Sequence, residues 1–225
     1  MCTVELCNGL DDDCDGVVDD GCPAGLLPGS AVQRAAIGDS FGGTDFADTC
    51  ADDELLVGLN VAAGPWVDQV TAICQEYSLF TNTQPSPFQY SLALHEKRSL
   101  DAHPSVTMSP IQELACASGK IMVGLRVSQQ HTAFGDPSDA IVIPRVWIRC
   151  AEPTISLGAG TPQVVWQNAL EVGPVSGSFA SDQAWFEGDQ LSESELLVGF
   201  HGRAGGAVAR VGLTGSSLKV SLHPE

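Results

Sequence analysis

Asp11, Asp13 and Asp15 stand at every second position and are followed at once by Gly16. Alternating carboxylates ahead of a glycine that permits a sharp turn are the means by which a short loop wraps calcium in hard oxygen ligands. In that pattern the Val17 carbonyl, Asp19 and Asp20 continue the set. Six carboxylates fall between positions 11 and 20, and they repel one another unless a divalent cation neutralises them. Calcium is therefore the cofactor expected here.

The same segment holds Cys2, Cys7, Cys14 and Cys22. So short a stretch has no room for a core and keeps a shape only through cross-links and a metal. The pairing among these four cysteines is open. The pattern is the first half of an EF-hand loop, but Cys22 stands where the bidentate glutamate would be, so a full EF-hand is excluded. Two alternatives remain: a solvated acidic linker, or a thiolate zinc site, which the hard Asp set and the missing C-x2-C knuckle disfavour. The string Cys7-Asn-Gly-Leu-Asp11-Asp-Asp-Cys14-Asp-Gly16-Val-Val-Asp-Asp-Gly-Cys22 resembles short metal-binding repeats of secreted and cell-surface bacterial proteins. The resemblance implies a metal and an extracellular setting.

Other chemistry finds little footing. Gly38-Asp39-Ser40 is similar to the start of one hydrolase family and to part of the trypsin-like protease motif, yet Phe41 replaces the required glycine and His223 lacks its upstream aspartate. His95, His103, His131, His201 and His223 are scattered without metal spacing. Asp52-Asp53-Glu54 reads as a solvated turn. With net charge −18 and Lys97-Arg98 as the densest basic site, nucleic acid is an unsuitable partner, since binding it requires clusters of cations. No apolar run reaches the roughly 18 to 20 residues that cross a bilayer, so no membrane insertion is expected. Eight cysteines in an even set argue for an oxidising, extracellular or cell-surface location.

The elements that must carry these groups follow from an internal repeat. Val57-Gly58-Leu59, Val123-Gly124-Leu125 and Val198-Gly199-Phe200 recur at spacings of 66 and 75 residues, each leading to a second apolar segment. Three copies imply one domain with pseudo-threefold symmetry. Cys50 and Cys116 each lie eight residues before the glycine, and the third copy has lost both cysteines together. Loss in pairs predicts Cys50 bonded to Cys74 and Cys116 to Cys150, each closing a two-stranded unit of its own copy. Short β-branched segments at 55–61, 67–74, 88–94, 121–127, 141–149, 164–167, 196–200 and 207–213 predict strands. No stretch carries a helical apolar stripe. The fold class is all-β, a β-prism of three antiparallel sheets over 30–225, preceded by a linker at 23–29 and the acidic segment at 1–22.

Leu197-Val198-Gly199-Phe200-His201-Gly202-Arg203-Ala204-Gly205 resembles the strand-and-turn motif of jacalin-related lectins, and Val123 to Val127 with Gly135 to Ala140 and Val146 to Cys150 resembles vitelline membrane outer layer protein I. The resemblance implies a β-prism that binds a hexose through an early glycine and a turn of the form G-x-[aromatic]-x-D. Gly64-Pro65-Trp66-Val67-Asp68, with Gly42-Gly43 upstream, matches that form. Its plain alternative is that Trp66 packs a sheet edge and Asp68 caps a turn. Trp147, Trp166 and Trp185 are expected to fill the prism. The expected function is a secreted, non-enzymatic, lectin-like protein that binds a glycan or polysaccharide. The rival is a self-associating subunit of an extracellular coat or fibre, clipped together through the calcium segment.

Overall fold

The computed structural model describes residues 2, 12–16, 23–39, 43–82, 89–105, 107–132, 140–158, 161–178, 180, 185–190 and 195–222. Its elements are all strands: β1 (Pro23–Gln33), β2 (Ile37–Gly38), β3 (Thr44–Thr49), β4 (Glu54–Ala63), β5 (Val67–Asn82), β6 (Gln89–His103), β7 (Ile111–Ala115), β8 (Ile121–His131), β9 (Ile141–Gly158), β10 (Thr161–Ser176), β11 (Trp185–Gln190), β12 (Glu195–Ala204) and β13 (Val208–Leu222). Every pairing is antiparallel. Sheet I has the order β1-β13-β12-β3, with β2 on β13. The remaining strands form one hydrogen-bonded array, but β6 and β9 meet only at Gln89↔Ser156 and Tyr90↔Ile155. That narrow junction divides it into sheet II, β6-β5-β4-β7, and sheet III, β10-β9-β8-β11, which completes a three-sheet prism.

The recurring Val-Gly pair has a structural cause that is the same in all three sheets. The register slips between Leu56 and Gly58, between Met122 and Gly124, and between Leu197 and Gly199. The valine is thus the extra residue of a β-bulge, which bends the strand and flips the side-chain alternation beyond it. Leu55, Ile121 and Leu196 join Val57, Val123 and Val198 in one apolar cluster. Leu56, Met122 and Leu197 join Leu59, Leu125 and Phe200 in the other. The glycine then admits a neighbouring backbone: a Cβ on Gly58 would stand 2.8 Å from Ala115 Cα, and one on Gly199 3.0 Å from Thr49 Cα.

Those neighbours are edge strands taken from a different copy. β3 leads into β4 along the chain but pairs with β12; β7 leads into β8 but pairs with β4; β11 leads into β12 but pairs with β8. The disulfides follow from this exchange. Cys50, whose N–H donates to the Val198 carbonyl of sheet I, is bonded to Cys74 on β5 of sheet II. Cys116, whose N–H donates to the Val57 carbonyl of sheet II, is bonded to Cys150 on β9 of sheet III. Each bond staples two adjacent sheets instead of closing a two-stranded unit within one copy. The third seam has Gly215 where Cys74 and Cys150 stand, since all three oppose the residue before the bulge. Beside Gly215 the Arg34 guanidinium meets Glu195 at 2.6 Å.

Residues 23–29, expected as a linker, belong to β1, which pairs with β13 from Pro23↔Leu222 to Gln33↔Thr214. Their prolines are tolerated because β1 is an edge strand, and the register shifts beside both Pro23 and Pro28. Trp147 is buried, 8% exposed, but belongs to neither apolar cluster: its neighbours Val146 and Ile148 enter the main core, and the indole packs under the Arg126 guanidinium, 4.4 Å from the ring centroid. Trp166 packs on the smaller cluster; the side chain of Trp185 lies outside the described residues. In the acidic segment Cys2 is bonded to Cys14, and the Asp15 N–H donates to Asp13 Oδ1 at 3.1 Å. Asp11, Val17, Asp19, Asp20, Cys7 and Cys22 lie outside the described residues. Gly16 takes φ +98°, a left-handed turn that suits glycine.

Candidate functional site

The turn between β4 and β5 is built around Asp68. The Ser109 hydroxyl donates to its Oδ2 at 2.6 Å, and the Thr107 hydroxyl reaches the same oxygen at 3.4 Å. Thr107 is itself held by the Ser109 N–H at 3.1 Å. Gly64 must be small, because a Cβ there would meet Ser109 Oγ at 2.7 Å. The turn is braced on its other side by Ser178, whose N–H donates to the Gly64 carbonyl at 2.7 Å. Next to it Gln69 Nε2 donates to the Pro104 carbonyl at 2.7 Å. Trp66 is half-buried. Asp68 Oδ1 is shielded from solvent and has no hydrogen-bond partner among the described residues.

The turn does not include Gly43. That residue has φ +71° and packs against the Ala204 carbonyl and Gly205, so it serves the β12–β13 turn of the third copy; Gly42 lies outside the described residues. The cause is strand exchange: β3 carries Gly43 to sheet I, and β7 carries Ser109 to the first-copy turn. Ser109, absent from the sequence-based site, lies 66 residues after Gly43, the interval that separates the first two Val-Gly pairs. At the third-copy turn Ala207 and Ala209 replace the aromatic and acid. Asp45 approaches instead, engaged by Arg203 at 3.3 Å and by Arg210 at 3.6 Å. Asp136 and Asp139 of the second copy lie outside the described residues.

A polar groove runs where β3 of sheet I faces β6 of sheet II. It holds His103 Nε2, 2.9 Å from Asp48 Oδ2. The Phe46 ring lies parallel to the imidazole, 4.3 Å between centroids, and tilts against Phe200 at 5.1 Å. Burial pushes the Asp48 carboxyl up from its ordinary value, and the facing imidazole partly offsets this. Further along, Arg98 donates to Glu54 through Nε at 2.9 Å and holds that carboxyl below its usual range.

Hydrolytic chemistry finds no support in the described residues. Asp39 Oδ2 accepts the Ile141 N–H at 3.3 Å, and Ser40 lies outside them. His201 is buried, which lowers its pKa, and Nε2–H donates to the Arg34 carbonyl at 3.1 Å. Cys50, Glu54 and Cys74 form the one tight group of ligand-type atoms among the described residues, but the two sulfurs are bonded to each other. Asp12, Asp13 and Asp15 do not converge into such a group by themselves.

No family model and no curated protein matches the chain. Among solved structures it is similar to frutapin, a lectin from Artocarpus incisa, at 11% identity and TM-score 0.54, covering 84% of this chain and 99% of that one. It is similar also to a mannose-binding jacalin-related lectin from Ananas comosus, at 11% identity and TM-score 0.51, covering 83% and 98%. Malaysian banana lectin aligns at 14% identity and TM-score 0.48, over 85% and 100%. The three-sheet architecture and the likeness to frutapin and the Ananas comosus lectin give the chain the β-prism fold of the jacalin-related lectins.

Proposed function

We propose that this is a non-enzymatic, extracellular carbohydrate-binding protein, and that a glycan is held at the Gly64–Asp68 turn by Trp66, Asp68 and Ser109. One observation carries the reading: Asp68 is fixed by two hydroxyls through Oδ2, and its Oδ1 is an acceptor with no donor among the described residues. A buried acceptor left unmatched is costly, and a small opening of the turn beside Trp66 would expose Oδ1 to a sugar hydroxyl that supplies the missing donor. The fold shared with a mannose-binding lectin agrees with this role, and two inter-sheet disulfides agree with an extracellular setting.

The test is a glycan array probed with the intact protein in calcium and again in EDTA. Trp66→Ala and Asp68→Asn are each expected to weaken the selected glycan at least tenfold, with the melting temperature nearly unchanged. Full binding by both variants would remove the turn from the site. A blank array for the parent protein would end the lectin reading.

The acidic segment in this proposal holds calcium through Asp11, Asp13, Asp15, the Val17 carbonyl, Asp19 and Asp20. The charge density, the Asp13 to Asp15 hydrogen bond and the left-handed Gly16 support it. Titration calorimetry with calcium should show one saturable site per chain. Asp13→Asn with Asp15→Asn should lower its affinity at least tenfold. Heat that is unchanged by this pair of substitutions would place the cation elsewhere. The same titration followed by sedimentation tests the rival assembly role, in which calcium raises the molecular mass.

A further inference from the structure

The seam between sheets I and II and the seam between sheets II and III hold equivalent places in the repeat, yet they are built from opposite chemistry. At the second of these, Leu114 of β7 and Val175 of β10 are 5% and 2% exposed and both belong to the main core. Register assigns their counterparts. Asp48 opposes Phe200 as Leu114 opposes Leu59, and His103 opposes Val70 as Val175 opposes Val146. An apolar pair at one seam is thus an Asp–His pair at the other, joined at 2.9 Å. β11 also has an acid in this place, Asp189 opposite Leu125.

A second exchange accompanies the first. Gly202 opposes Phe46 where Val61 opposes Gln112 and Val127 opposes Glu187. A Cβ on Gly202 would stand 2.8 Å from the Phe46 ring, so the loss of the valine makes room for the aromatic stack on His103. Stability does not account for these changes. Desolvating a carboxylate and an imidazole is costly, and a packed apolar pair in the same place is equal or better.

What the exchanges create is a cavity of about 370 Å³ lined by Thr44, Asp45, Phe46, Asp48, His103 and Pro104 among others. We propose that this seam pocket is a second binding site, for a single neutral hexose ring. The size lies at the small end of small-molecule sites, about 300 to 1,000 Å³. Carboxylates and a hydroxyl offer hydrogen bonds to sugar hydroxyls, and the stacked rings offer an apolar face. An anion is disfavoured, because Arg203 and Arg210 are engaged by Asp45 and the remaining carboxylate, Asp48, faces the cavity. The inference deepens the lectin reading and rests on it, but uses residues separate from Trp66, Asp68 and Ser109.

The experiment follows the His103 ring signals by NMR, assigned through His103→Gln, while methyl α-mannoside, α-glucoside and β-galactoside are titrated into the full chain. At least one hexoside should shift them saturably. Asp48→Leu with His103→Val installs the apolar pair of the other seam; it should melt at or above the parent temperature and lose hexoside affinity at least tenfold. Ala47→Arg, on the exposed lip, should do the same without touching the core, and serves if the double variant does not fold. Trp66→Ala should leave the His103 shifts in place. His103 signals that stay still with every hexoside, or full affinity in the seam variants, would overturn the pocket. Array binding lost in Trp66→Ala with silent His103 signals would leave the lectin reading standing alone, and shifts at His103 with array binding intact in Trp66→Ala would move the site to the seam.

Discussion

Gly199→Ala is expected to dislodge β3 from sheet I and to lower stability by about 3 kcal/mol, the upper part of the range for overpacking. The added Cβ would fall within the van der Waals envelope of the Asp48 carbonyl and 3.0 Å from Thr49 Cα. Backbone cannot step aside as a side chain can, so the strand must retreat along its length. β3 carries Asp45, Phe46 and Asp48, and Cys50 follows it directly, so the damage should reach the seam. Urea unfolding gives the stability, and amide exchange should show lost protection across 44–49 before any other strand. Gly206→Ala is the control: nothing lies within 4 Å of its added Cβ, and a change within about 0.5 kcal/mol is expected. Equal effects for the two substitutions would contradict the close approach at Gly199.

Removing the staples has an effect of similar size. Cys50→Ala with Cys74→Ala opens a link spanning 24 residues, and Cys116→Ala with Cys150→Ala one spanning 34. Loop entropy puts these at about 3.4 and 3.8 kcal/mol, or a fall of about 10 °C in melting temperature for a chain of this size. Because each bond crosses a seam, the loss should appear as separation of neighbouring sheets. Amides of β3 should gain exchange when the first bond is absent, and amides of β7 when the second is. Uniform exchange across all strands in both variants would mean that the bonds act only on the unfolded chain.

The repeat and the two inter-sheet disulfide pairings were legible in the sequence because a bulge with its glycine demands the same residues in every copy. Strands β4, β8 and β12 have apolar residues on both faces at that point, which makes them loud. β3, with Thr-Asp-Phe-Ala-Asp-Thr and one side exposed, has no apolar run to announce it. β1 was hidden by its prolines, and β7 by its shortness. The exchange of edge strands was beyond reach, since adjacency along a chain does not say which sheet a short strand joins. That is why Gly43 was grouped with Gly64, and why Ser109 was missed although the 66-residue interval pointed to it. His103 was one of five scattered histidines and Asp48 carried no signal of its own until register placed them opposite Val70 and Phe200.

The traded edge strands bear on how such a chain could have come about. A single copy cut from it would have an inner hairpin whose bulge glycine faces nothing, and would present a strand that belongs to a sheet no longer there. Two copies would still leave one strand without a host and one host without a strand. β1, beside β13 at the chain's other end, supplies the outer strand that β6 and β10 supply within their own copies. Modules of this kind cannot accumulate or be dropped one at a time, as they can in a linear array; the molecule is whole at three or it is not a prism.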